Sequence, residues 1–248
     1  MSPKVKNLNK LKSHAEIAAE WDRICEERSQ LIDTGRDFSL TGVTVPCIKH
    51  FFKLCSPKNA LDIGCGTGYL TNILAEHCDQ ITGIDFSPKS IEVARRLYAK
   101  SNMKFECVEL QKFKSTCPID ICVANMVLMS EPDLVGFLDS VQRLLVNNGK
   151  FLLMVSHPCF WPRYWGYECE SGFDYRKEIT MEADFSISMS NLPGKITHIH
   201  RSLTDYFCAL DAAGFDVEKV REPYPEGRAP QDYRFDQPRF LFVMCKKR

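Results

Sequence analysis

Between Asp62 and Gly68 the chain reads Asp-Ile-Gly-Cys-Gly-Thr-Gly. Glycines at alternate positions let the backbone turn tightly and let a ligand approach the main chain closely. A short apolar run (Leu61, Ile63) precedes them, and a segment with helical spacing (Tyr69, Leu70, Ile73, Leu74) follows. That is a strand, a tight loop and a helix whose first amides are free to donate to a ligand. A second acid, Asp85, ends the next strand-like run, Gln80 to Asp85, seventeen residues after Gly68. At about this spacing an acid closing the second strand of a βαβ unit reaches a ribose, and its oxygens can accept from both hydroxyls. The alternative for Asp85 is a surface acid that merely ends a strand. These residues together predict a nucleotide-like ligand bound at a glycine turn.

The spacing narrows that ligand. Dinucleotide-binding folds read G-x-G-x-x-G. Here Gly64, Gly66 and Gly68 read G-x-G-x-G, with Tyr69 where the third dinucleotide glycine would fall. The stretch Leu61-Asp62-Ile63-Gly64-Cys65-Gly66-Thr67-Gly68 resembles the first motif of class I S-adenosylmethionine-dependent methyltransferases. The resemblance runs from about Trp21 to the C-terminus; it is specific at this motif and at Asp85, and looser elsewhere. It implies S-adenosylmethionine as cofactor, with Asp62, Gly64, Cys65, Gly66, Thr67 and Gly68 at the cofactor.

Further cofactor residues follow from the same resemblance. Asp85 would hold the ribose, Phe86 would stack on the adenine, and Ser87 adjoins them as the cap of a helix whose first turn holds Pro88. Glu109 stands where the family often has Asp to accept from the adenine amino group, and Leu110 would pack at the adenine edge. Asn125 and Met126 close a strand, Ile119 to Ala124, that is apolar but for Asp120, and would flank the methionine part. The segment Asp33 to Ser39 resembles a Gly-Asp-Phe stretch that lies beside the cofactor in relatives, interrupted here by Arg36. Asn125-Met126-Val127-Leu128 lacks the Asn/Asp-Pro-Pro-Tyr/Phe signature of enzymes that methylate amino groups of bases or of glutamine.

The cofactor of that family already carries an electrophilic methyl group, so the protein's task is binding and alignment. A hydroxyl acceptor gains from a general base, and histidine is the natural one near neutral pH; a carboxylate acceptor needs none. His157 is the first candidate, because Ser156-His157-Pro158-Cys159-Phe160-Trp161 resembles a His-Pro segment after the fifth strand in small-molecule methyltransferases. His200 is the second. A structural histidine hydrogen-bonded to nearby backbone is the competing reading of His157. Candidate acceptor contacts are Trp21, Phe160, Trp161, Trp165, His200 and Arg201; Arg163 and Arg176 also offer guanidinium groups.

The elements that must position these residues follow from pattern. Ser13 and Glu16 form a capping box for a helix reaching Ile32, with Ile17, Trp21, Ile24, Arg28 and Leu31 on one stripe. All but Arg28 are apolar, so Trp21 reads as core packing; the resemblance implies instead that it contacts the cofactor or the substrate. Pro46 to Leu54 reads as a second helix. Strands are expected at Asn59–Gly64, Gln80–Asp85, Met103–Val108, Ile119–Ala124 and Lys150–Ser156, with intervening helices, one of them capped by Ser130. From Phe160 to Ile199 the alternation stops and aromatics crowd, as in a substrate lid, a structural flap or a dimer contact. Within it, Phe185–Met189 and Lys195–His200 are expected to pair as short strands. A helix capped by Ser202 and strands at Phe215–Val220 and Arg239–Cys245 resemble the family's closing hairpin, and the four-proline loop Glu222 to Pro238 is expected to return across the lid.

The expected architecture is α/β: a Rossmann-like, seven-stranded, mostly parallel sheet with helices on both faces, an N-terminal helical cap and an inserted lid. Its parts are residues 1–57 (tail and cap), 58–159 (cofactor-binding core), 160–200 (lid) and 201–248 (the rest of the core). The 248 residues carry 32 basic and 32 acidic side chains, which argues against a broad electrostatic grip on nucleic acid. No apolar run is long enough for a membrane span, and the basic stretch Met1 to Lys12 reads as a solvated tail without a secretory core. Twelve cysteines form no C-x-x-C pair, so no metal is expected; they read as reduced thiols in a cytoplasmic protein, with a disulfide-framed secreted protein as the alternative. The expected function is methyl transfer to a small molecule, at oxygen, by a monomer or homodimer. The alternatives are a methyltransferase acting on a protein or RNA site and a non-catalytic S-adenosylmethionine-binding or regulatory protein.

Overall fold

The computed structural model describes residues 5–8, 10–187, 190–225, 229–231, 233 and 236–248. Its main sheet has seven strands: β2 (Asn59–Ile63), β3 (Gln80–Asp85), β4 (Met103–Cys107), β5 (Ile119–Asn125), β6 (Leu145–Ser156), β9 (Phe215–Arg221) and β10 (Phe240–Lys247). The spatial order is β4-β3-β2-β5-β6-β10-β9, and only β10 runs antiparallel to its neighbours. The chain leaves β2 towards β3 on one side and returns to β5 on the other. The carboxyl ends of β2 and β5 therefore flank the crevice where open sheets of this kind take ligands.

The central strands β2 and β5 are buried on both faces, as parallel strands covered by helices must be, whereas the edge strands β4 and β9 are partly exposed. In β5, Ile121 and Val123 join one core while Cys122 and Ala124 join the other. The first core holds α2 (Val45–Cys55) through Ile48, Phe51 and Phe52, and α3 (Tyr69–Leu74) through Leu70 and Leu74. The second holds α5 (Leu134–Leu144) through Phe137, Leu138 and Val141, and α7 (Leu203–Ala212) through Tyr206 and Leu210. Helix α5 is capped by Asp133, not by Ser130. The Asp133 carboxylate accepts the Gly136 amide at 2.9 Å, whereas Ser130 Oγ donates to the Thr197 carbonyl at 3.1 Å.

The cap and lid are built on each other. Helix α1 (His14–Asp33) starts with the expected Ser13–Glu16 capping box. A second sheet contains β1 (Val5–Asn7), β7 (Ile179–Ile187) and β8 (Ser190–His200). Strand β1 pairs with β7, so part of the stretch expected to be a solvated tail is sheet edge; residues 1–4 and 9 lie outside the described residues. Lys195–His200 pairs with Ile179–Asp184 rather than with Phe185–Met189; Met189 lies outside the described residues. Buried Glu20 of α1 accepts the Thr197 amide and hydroxyl of β8 at 2.7 and 2.9 Å, and Lys12 bridges Glu20 to Glu182 of β7. At the other side of α1, Asp22 accepts the Ser87 hydroxyl at 2.6 Å and the Lys89 amide at 3.1 Å. Those groups open α4 (Pro88–Leu97), so a carboxylate sits at a helix N-terminus, where it is stabilising. The cap is thereby fastened to both core and lid, over the crevice.

Candidate functional site

The glycine turn after β2 takes its shape from what surrounds it. Gly64 has φ +65°, and a Cβ there would sit 2.5 Å from Val127. Gly68 has φ +84°, and a Cβ there would meet the Phe105 ring at 2.7 Å and Ala94 at 3.0 Å. Both positions need glycine for conformation and for space. The Gly66 amide donates to Asp85 Oδ2 at 2.9 Å and the Ser87 amide to Oδ1 at 2.8 Å. Burial pushes the Asp85 carboxyl up, and these two amides pull it back down. A carboxylate with one amide on each oxygen keeps lone pairs to offer hydroxyl donors.

A cleft of roughly 1360 Å³, counted to its open mouth, runs from this turn to the lid. At the turn end its wall includes Gly64, Gly66, Thr67, Asp85, Phe86, Asn125 and Met126, with Cys25, Arg28 and Asp37 from the cap. Met126 has φ +61°, uncommon for a side chain of its size and typical of strain held at a functional site. Two buried polar atoms here have no hydrogen-bond partner among the described residues, Asn125 Oδ1 and Arg28 Nε. The nearest carboxylate to Arg28, Asp37, stands 3.8 Å from Nε, and burial raises its own pKa. At the lid end the wall is aromatic: Trp21, Trp161, Tyr164, Trp165, Phe185 and Phe240, with His198 and Arg239 among them. Helix α6 (Trp161–Trp165) supplies three of these rings.

A smaller hollow of about 300 Å³ shares Gly64, Asp85, Phe86, Val127 and Glu131 with the cleft and adds His14, Val108, Leu110 and Gln111. The His14 ring lies nearly parallel to Phe86, centroids 5.4 Å apart. Its Nε2 stands 2.9 Å from buried Glu131 and its Nδ1 3.4 Å from Glu109. The Glu131 hydrogen bond leads the interactions that raise the His14 pKa, against partial burial.

The structure separates the expected residues into three groups. In a cavity wall stand Gly64, Gly66, Thr67, Asp85, Phe86, Leu110, Asn125, Met126, Trp21, Trp161 and Trp165. Asp62, Cys65, Gly68, Ser87 and Glu109 lie behind the wall. Asp62 is buried and accepts the Thr71 hydroxyl at 2.6 Å, and burial pushes its carboxyl up to about 7; it braces α3. Cys65 is buried beside Gly83. Ser87 caps α4. Glu109 pairs with Lys112 at 2.7 Å, which lowers its pKa.

The third group is displaced from the cleft. His157 is 3% exposed and does not line it. Its Nε2 pairs with Glu222 at 2.9 Å and its Nδ1 receives the Cys159 amide at 3.2 Å, so both ring nitrogens are engaged in structure. Phe160 packs on that ring at 4.6 Å. His200 lies 3.0 Å from the Tyr175 carbonyl and 3.3 Å from Tyr167 Oη. Arg201 is a buried strut, donating to the carbonyls of Leu128 and Glu131 and to the Glu178 carboxylate at 2.6–2.8 Å. None of these four lines the cleft: His157 turns to Glu222 with Phe160 on its ring, His200 turns to Tyr167 and Tyr175, and Arg201 to the carbonyls of Leu128 and Glu131.

Sequence reasoning did not select Arg28, Glu131, His198 or Arg239. Arg28 left a trace, as the one charged member of the α1 stripe, and Asp37 lay in a noted segment. His198 and Arg239 left none, since their neighbours in space come from distant parts of the chain.

The sheet order, the glycine turn and the acid closing β3 define the fold of class I S-adenosylmethionine-dependent methyltransferases. Residues 55–203 match the family described as a methyltransferase domain, and the chain belongs to it. A malonyl-[acyl-carrier protein] O-methyltransferase from Acetivibrio thermocellus is 29% identical over 167 residues. That match covers 66% of this chain and 56% of the relative, little more than half its length. Among solved structures, a Listeria monocytogenes protein assigned as an S-adenosylmethionine-dependent methyltransferase aligns with a TM-score of 0.64 at 24% identity, over 80% of this chain and 97% of that one. The 1,6-didemethyltoxoflavin-N1-methyltransferase of Burkholderia thailandensis, solved with its substrate and S-adenosylhomocysteine, aligns with a TM-score of 0.62 at 16% identity over 100% and 99%. At these identities the structures share a fold; the relatives' named activities include both an oxygen and a nitrogen acceptor.

Among the described residues no helix is long and apolar enough to cross a membrane, and no cluster of three metal-ligating side chains occurs. None of the twelve cysteines is joined in a disulfide.

Proposed function

We propose that this enzyme transfers a methyl group from S-adenosylmethionine to an oxygen of a small molecule. One observation carries the reading: a single cleft joins the glycine turn and Asp85 at one end to an aromatic chamber at the other. The turn end fits the cofactor by its orphaned groups. Asn125 Oδ1 is an acceptor suited to an ammonium, and Arg28 Nε a donor suited to a carboxylate. Asp85 would accept the ribose hydroxyls, and Phe86 and Leu110 would flank the adenine once His14 yields its place on Phe86. Cap (1–57), core (58–159), lid (160–200) and closing segment (201–248) then work as distinct parts of one domain.

When bound, the cofactor supplies an electrophilic methyl group on sulfur. The chain's own residues bind, orient and exclude water. Trp21, under the Arg28 guanidinium at 5.5 Å and edge-on to Phe185 at 5.4 Å, stands where the two ends of the cleft meet. At the lid end His198 is held neutral, its pKa lowered to about 3 by burial and then by His200 and Arg201. A group so hard to protonate is a poor proton acceptor, and His157 is engaged elsewhere. A carboxylate oxygen, ionised at neutral pH, needs no base and suits this chamber better than a hydroxyl. The name of the Acetivibrio thermocellus relative supports an oxygen acceptor. Balanced charge disfavours nucleic acid as the acceptor, and free thiols fit a cytoplasmic protein.

Calorimetric titration with S-adenosylmethionine and with NAD, followed by a labelled-methyl screen of acids, phenols and amines, tests the proposal. Heat with S-adenosylmethionine alone and label on an acid are expected. Preference for NAD would sink the cofactor assignment, and label on amines only would sink the oxygen.

A further inference from the structure

Arg239 is a buried cation, 7% exposed, and among the described residues no carboxylate lies within ion-pair distance of it. Its guanidinium is held between two rings, 4.2 Å from the centre of Tyr164 and 4.0 Å from that of Tyr233. The rings fix its plane and stabilise its charge, yet its Nε has no hydrogen-bond partner among the described residues. Trp161 packs 5.0 Å from Tyr164 and 6.1 Å from Phe240, the residue after Arg239, and its Nε1 is likewise buried and unpartnered. Both residues line the cleft at its lid end.

Buried donors left unsatisfied are costly, and a buried unpaired charge more so. The other buried guanidinium of the lid region, Arg201, shows the contrast: it has two carbonyls and a carboxylate. We propose that Arg239 and Trp161 form a seat for a carboxylate of the methyl acceptor, whose flat apolar body lies against the neighbouring indole and phenol rings. A guanidinium Nε and an indole N–H offer two donors and no acceptor, the complement of a carboxylate's two oxygens. Neutral His198 beside Trp161, ring centroids 6.3 Å apart, adds no competing charge. The acceptor class is therefore a planar or aromatic carboxylic acid. The inference rests on the methyltransferase reading above and narrows its substrate.

Tryptophan fluorescence titration of the full chain, with S-adenosylhomocysteine present, tests the seat without turnover. The probes are 2-naphthoate, 2-naphthamide and 2-naphthyl phosphate. A charge-assisted bond predicts 2-naphthoate binding about tenfold or more tighter than the amide. Arg239→Gln should abolish that preference, and Trp161→Phe, which keeps the ring and removes the N–H, should reduce it several-fold. Equal binding of acid and amide by the native chain would overturn the seat whatever the variants do, and tighter binding of the phosphate would overturn the carboxylate assignment. Loss of acid preference with intact calorimetric binding of S-adenosylmethionine would separate failure of the seat from failure of the methyltransferase reading.

Discussion

The two ends of the cleft are built by different means. At the turn end the acids of the loop are satisfied within one βαβ unit, Asp85 by the amides of Gly66 and Ser87 and Asp62 by Thr71, while Asn125 Oδ1 and Arg28 Nε from other elements are left without partners among the described residues. At the lid end Trp21, Trp161, His198 and Arg239 come from four separate elements and leave two donors without partners. The turn end is pre-organised by its own backbone, so substitutions there act first on folding. The lid end is completed by what it binds, so substitutions there act on choice of ligand. Variants that separate fold from ligand choice can break this contrast.

The largest effect is expected at the turn. In Gly68→Ala the new Cβ meets the Phe105 ring at 2.7 Å in a backbone with φ +84°. Overpacking and a left-handed alanine together cost roughly 2–5 kcal/mol. Gly35→Ala is the control, since Gly35 has φ +70° but nothing within 4 Å of a Cβ; its cost is the backbone share alone, about 1–2 kcal/mol. Denaturant unfolding of both variants measures the difference. Equal destabilisation would show that close packing does not shape the turn.

Next comes the strut that ties the lid to the core. Arg201→Met keeps the apolar stem but removes the donors to the carbonyls of Leu128 and Glu131, of which that of Leu128 keeps only the Glu131 amide at 3.4 Å. Glu178 is 44% exposed and rehydrates, so the loss is mainly that of one unsatisfied and one weakly satisfied carbonyl, roughly 1–3 kcal/mol. Because Leu128 to Glu131 follow Asn125 and Met126, affinity for the cofactor measured by calorimetry should fall as well. A variant that loses stability but binds S-adenosylmethionine normally would uncouple the strut from the cofactor end.

What the sequence made legible follows the same division. The seven-stranded sheet, the glycine turn and Asp85 were readable because strand, turn and acid lie within about two dozen residues, where period and spacing carry the geometry. The strand ends at Asn125 and Met126 followed from topology. Residue type alone cannot tell a side chain that faces the cleft from one engaged in structure, as His157 is with Glu222 and Arg201 with the carbonyls of Leu128 and Glu131. Arg239 was invisible for a different reason. Its meaning depends on Tyr164 and Tyr233 flanking it and on no carboxylate pairing with it among the described residues, and neither can be seen from a position beside Pro238.

The smallest expected effect concerns His14, where the cap crosses from one end to the other. Its imidazole faces Glu131 and Glu109 and stacks on Phe86, and its pKa is raised above 6.5, first by the Glu131 hydrogen bond. Its folded pKa exceeds its unfolded one, so the native state binds the proton more tightly. That stabilisation is fully present below about pH 6.5 and is lost as pH rises through the higher folded value. His14→Ala should therefore cost about 1 kcal/mol or less at about pH 6 and still less at about pH 9. The readout is the difference between the two unfolding curves across that range. S-adenosylhomocysteine added in excess should shrink the difference, since an adenine on Phe86 displaces the imidazole from the same ring face. A pH-independent difference, unchanged by S-adenosylhomocysteine, would mean that His14 is ordinary packing and that the adenine hollow lies elsewhere.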